Sequence, residues 1–64
     1  MQRKYMTYSI YEIADLFART IAQENPNQEI VYEIEQELSF RTTGYANFLT
    51  TIVNRFIKSR YHKR

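Results

Sequence analysis

Cysteine and tryptophan are absent from this 64-residue chain, and glycine (Gly44), proline (Pro26), aspartate (Asp15) and histidine (His62) each occur once. Each scarcity removes a class of answers. Without cysteine there is no disulfide and no thiolate nucleophile, and one histidine near the end leaves no His/Cys cluster of metal-ligand spacing. One glycine and one proline exclude Gly-rich phosphate loops and long flexible linkers. No apolar run approaches the roughly 20 residues of a transmembrane helix. The basic start Met1-Gln2-Arg3-Lys4-Tyr5 is not followed by a signal-peptide apolar segment. A cytoplasmic protein with no membrane span is the expectation.

Negative charge is also missing from a whole stretch of the chain. All seven acidic residues lie at or before Glu37, while Arg41, Arg55, Lys58, Arg60, Lys63 and Arg64 are the only charged side chains after it. The formal net charge of +2 therefore conceals an acidic middle and a basic end. Such segregation implies either an electrostatically directed contact with a partner or pairing between oppositely charged elements of the chain.

What the chain does have is aromatic side chains, six Tyr and four Phe, and apolar residues at helical spacing. Ser9-Ile10-Tyr11-Glu12 has the form of a capping box, with Tyr8 and Ile13 at the hydrophobic-staple positions. Ile10, Ile13, Ala14, Phe17 and Ile21 then fall on one face, and Asp15 and Arg19 form an i, i+4 pair. Pro26 suits a first helical position, which makes Asn25 the expected cap of a second helix carrying Ile30, Val31, Ile34 and Leu38 on one stripe. Residues 30–40 also alternate partly as a strand would, but Val31 and Gln36 break the alternation and the glutamates favour helix. After Gly44, with Thr42 or Thr43 as cap, Tyr45, Phe48, Leu49, Ile52, Val53 and Phe56 form a continuous stripe flanked by Ile57 and Tyr61. The expectation is one all-α domain, a compact three-helix unit with helices at 10–24, 26–38 and 45–60. Residues 1–8 are a lead-in segment that either docks on the body or stays free.

Catalysis is not expected. Glu33, Glu35 and Glu37 could supply a carboxylate pair, but such a pair needs a partly dry pocket to separate its pKa values, so they are read as a solvated acidic face. No cofactor, metal or small-molecule substrate is expected. A membrane-surface role for the last helix conflicts with its apolar stripe being the core of the domain.

The favoured function is a non-enzymatic protein-interaction module: an adaptor, a regulator or a self-assembling homo-oligomer. Its expected contact residues are Tyr11, Tyr32, Phe40, Lys58, Arg60 and Tyr61, chosen as apolar residues off the main stripes together with the basic helix end. In a self-assembled form, Lys58 and Arg60 would meet the Glu29, Glu33 and Glu37 face of a second copy. The alternative is nucleic-acid binding, with Arg55, Lys58, Arg60, Lys63 and Arg64 on phosphates and tyrosines on unpaired bases. The last two helices would then form a loose helix-turn-helix presenting Asn47, Thr50, Thr51 and Asn54.

Overall fold

The computed structural model describes residues 3–61. It contains three helices: α1 (Ile10–Ile21), α2 (Gln28–Leu38) and α3 (Gly44–Arg60), with no strand among the described residues. The strand alternative for residues 30–40 is thereby excluded in favour of the helix.

Each helix begins on a side-chain cap. Ser9 and Glu12 form the reciprocal capping box, with Ser9 N–H donating to Glu12 Oε1 at 2.7 Å and Glu12 N–H to Ser9 Oγ at 3.1 Å. Thr43 caps α3 by accepting from the Ala46 amide at 3.1 Å. The cap of α2 differs from expectation. It is Asn27, whose Oδ1 accepts from both Glu29 and Ile30 amides at 3.0 and 3.3 Å, and Pro26 stays outside the helix. Two asparagines flank the proline, and the one that can satisfy two otherwise unpaired first-turn donors is the one used. The first helix is also shorter than expected, ending at Ile21 with Ala22 as its C-cap. Extending it would carry Glu24 into the negative end of the helix dipole, and Asn25 is disfavoured from helical geometry by the following proline.

The core is formed by Ile13 and Phe17 of α1, Val31, Ile34 and Leu38 of α2, and Ala46, Leu49 and Val53 of α3, joined by Tyr5 from the lead-in segment. Ile13, Val31, Ile34, Leu38 and Val53 are fully buried, each stabilising by about 1.5–3 kcal/mol relative to exposure. The side of α3 that faces the core is rotated from the expected stripe. Ala46, Leu49 and Val53 point inward with Phe56 and Ile57 beside them, whereas Tyr45, Phe48 and Ile52 are exposed. The apolar arc of α3 is wider than two neighbouring helices can cover, and the core takes the side where Ala46 has the least bulk. Tyr11 of α1 meets Tyr45 and Phe17 meets Phe56, so α1 and α3 run in the same direction.

Residues 3–8 dock on the body as a strap. Tyr5 is buried, and its ring meets Tyr8 edge-on at 5.1 Å. The strap turns on itself through Met6 N–H to Arg3 O and Tyr8 N–H to Tyr5 O.

Candidate functional site

Two surfaces stand out once the helices are in place. The first is the clasp that fastens the strap to α2. Glu37 is only 2% exposed, and its carboxylate accepts from Arg3 Nη2 at 2.6 Å, Arg3 Nε at 3.2 Å and Arg41 Nε at 2.8 Å. Arg41 also donates through Nη2 to the Tyr5 and Tyr8 carbonyls at 3.1 and 2.8 Å, so one guanidinium ties α2 to the strap backbone. Arg3 lies 4.5 Å above the Phe40 ring, between that ring and Glu37. Beside them Tyr5 donates its hydroxyl to Glu33 at 3.0 Å, and Lys4 approaches the same carboxylate at 3.4 Å.

The clasp corrects the reading of Glu33, Glu35 and Glu37 as a solvated acidic face. Glu37 is buried and paired twice, Glu33 and Glu35 are half-buried, and a face of Glu29, Glu33 and Glu37 is not open to a second copy. Its electrostatics follow from the same contacts. The Arg3 hydrogen bond does most to hold the Glu37 carboxyl below the usual carboxylate range, burial opposes it, and the Arg41 hydrogen bond adds to it. Burial, followed by the hydrogen bond to Glu33, pushes the Tyr5 phenol up to about 12. Every acceptor in this cluster is engaged by a partner from the chain itself. It is a structural fastening.

The second surface is an aromatic face spanning α1 and α3. Tyr11 is 72% exposed and its ring lies 5.5 Å from that of Tyr45, which stacks on Phe48 at 6.2 Å. Phe48 is 59% exposed and Ile52, one turn further along α3, is also open to solvent. On α1 the exposed Ala18 follows Tyr11 two turns on, with Ala14 and Ala22 one turn to either side of it, so this row is of small side chains. Asp15 and Arg19, paired at 2.9 Å, share a concavity with Tyr11 and Tyr8. On the far edge of the face, Arg55 stands one turn after Ile52. The apolar face is therefore rimmed by a carboxylate on α1 and a guanidinium on α3.

The six contact residues expected from the sequence do not fall on one surface. Tyr11 belongs to the aromatic face. Tyr32 and Tyr61 lie together on the α2/α3 side with ring centroids 6.0 Å apart, and Lys58 lines a concavity there with Glu35, Asn54 and Arg55. Phe40 is held beneath Arg3 in the clasp, and Arg60 sits 5.6 Å over Phe56. Lys63 and Arg64 lie outside the described residues. Sequence reasoning missed Tyr45, Phe48 and Ile52 as surface residues because they continue the apolar periodicity of α3; the signal was the width of that arc.

Among the described residues no group of three or more His, Cys, Asp or Glu side chains is placed to hold a metal ion, and no helix is long and apolar enough to cross a membrane. Comparison with protein-family models, curated proteins and solved structures gave no match.

Proposed function

We propose that this protein is a non-enzymatic protein-interaction module that binds its partner through the aromatic face of α1 and α3. One observation carries the proposal: Tyr11, Tyr45, Phe48 and Ile52 are adjacent, exposed and apolar, whereas the other exposed large side chains, Met6, Tyr8, Tyr32 and Phe40, are spread over the strap, α2 and the α2–α3 connection. Contiguous exposed apolar patches rimmed by polar residues mark interaction sites, and aromatic residues are enriched at their centres. The cytoplasmic location and the homo-oligomer expected from the sequence belong to the same proposal.

The test is capture by the tagged full chain, compared with a Tyr11→Ser/Phe48→Ser variant, each with and without nuclease. Both positions are exposed, so each substitution should change stability by no more than about 0.5 kcal/mol. A protein retained by the parent through nuclease treatment and lost from the variant is the expected result. Equal retention by both would remove the aromatic face from the function.

One observation favours nucleic acid as a second reading. The exposed face of α3 carries Asn47, Thr51, Asn54, Arg55 and Lys58 and no acidic residue, a mixture of amide, hydroxyl and cation suited to base edges and phosphates. Glu35 of α2 borders the same concavity as Arg55 and Lys58, which opposes an approaching phosphate and ranks this reading second. Under it, duplex affinity falls steeply with salt, and neutralising Arg55 and Lys58 flattens the log–log slope by about two.

A further inference from the structure

We infer that the occupant of the aromatic face is a second copy of the chain, packed about a two-fold axis that sets α1 of one copy against α3 of the other. This rests on the aromatic face being the functional surface, and it names the partner. Three observations support it.

The face is complementary to itself in charge. Its α1 edge carries Glu12 and Asp15 against the one cation Arg19, a net negative rim, its α3 edge carries Arg55, and α1 and α3 run in the same direction. A two-fold axis parallel to the helices therefore lays the acidic edge of each copy along the basic edge of the other, forming the pair twice. In an isologous contact each residue that meets a counterpart is met by it in return. An axis across the helices would instead bring each edge against its own copy, arginine facing arginine.

The face is also complementary in shape. Tyr11, Phe48 and Ile52 project, while Ala18 on α1 leaves a low place along the same surface. Setting α1 against the partner's α3 brings a row containing alanine opposite a row of large side chains, the arrangement in which ridges enter grooves. The opposite pairing, α3 against α3, would oppose Phe48 and Ile52 to one another.

The available area is adequate as well. The molecule measures 30 × 23 × 19 Å, so one broad face is of the order of the roughly 800 Å² per partner buried in a standard interface. The Glu37 clasp lies off this face, and the α2/α3 concavity meets it only at its edge, through Arg55. The strap residue Tyr8 borders it through the concavity it shares with Tyr11.

The experiment is sedimentation equilibrium of the full chain from micromolar to millimolar concentration, on four proteins. The parent should form a dimer and no larger species, because a closed two-fold contact uses up its own surface. Phe48→Ser should keep its helical circular dichroism and become monomeric. Asp15→Arg and Arg55→Asp should each weaken the dimer by about fivefold or more, and the double reversal Asp15→Arg/Arg55→Asp should return it to near the parent value. Asp15→Arg also removes the Asp15–Arg19 pair, which is exposed and contributes little to stability. A parent that stays monomeric throughout overturns the second copy as partner. The aromatic face itself stands or falls separately, on whether Phe48→Ser loses a captured protein. A dimer unaffected by Phe48→Ser, or one the double reversal fails to restore, overturns the α1-against-α3 pairing.

Discussion

The carboxylate of Glu37 joins three pieces of chain: the strap through Arg3, α2 on which it sits, and the α2–α3 connection through Arg41. A buried carboxylate is tolerated only when its lone pairs are filled, and here three N–H donors fill them. Its folded pKa is depressed, so its stabilising contribution is complete above the unfolded carboxylate value of about 4.3 and is lost as the pH falls through the lower folded value. Glu37→Gln should therefore lower stability by about 1.5–3 kcal/mol at neutral pH, the range for hydrogen bonds to charged groups. The gap from the parent should narrow as the pH drops below about 4. Urea unfolding at a series of pH values measures both, and a gap that stays constant down the acid range would show that charge contributes nothing to the clasp.

At the scale of the helix, local signals were legible and relative placement was not. The Ser9–Glu12 box and the Asp15–Arg19 pair each involve residues within about one turn, so sequence spacing alone specifies them, whereas the cap of α3 was readable only as Thr42 or Thr43. Pro26 left the start of α2 ambiguous because an asparagine stands on either side of it. Asn27→Ala should cost about 1 kcal/mol, as loss of an N-cap, while Asn25→Ala should stay within about 0.5 kcal/mol. Thermal unfolding of the two variants compares them directly, and a larger loss at Asn25 would restore the earlier start. The rotation of α3 was hidden for a different reason. Its apolar arc offers more than one face, and only the positions of α1 and α2 decide that Leu49 and Val53 are covered while Phe48 is not. For Glu37, the i, i+4 spacing to Arg41 was readable, but the contact with Arg3, 34 residues away, was not.

Across the whole molecule, the interior is thin for a chain that has neither disulfide nor, among the described residues, a metal site. Ile34→Ala, at a fully buried position, should cost about 2–5 kcal/mol and leave little helical signal at physiological temperature, as large-to-small core changes do. At concentrations low enough to keep the chain monomeric, Phe48→Ala should melt close to the parent because that ring adds little to the core. Near-equal effects at the two positions under those conditions would mean that Phe48 belongs to the core of the single chain.

The strap also bears on how the chain folds. In an open chain, bringing Arg3 to Glu37 closes a ring spanning 34 residues. Once α1 lies against α2, most of that ring is already rigid, and the only segment still to be closed is the short one ahead of Ser9. Closure entropy grows only with the logarithm of the free length, by about 0.6 kcal/mol per doubling, and the shortened ring has correspondingly less to lose. The clasp is thus weak before the helices pack and strong afterwards. It cannot nucleate the fold, and its contribution is to cooperativity: the same carboxylate that fastens the strap makes the helices' packing and the strap's docking favour one another.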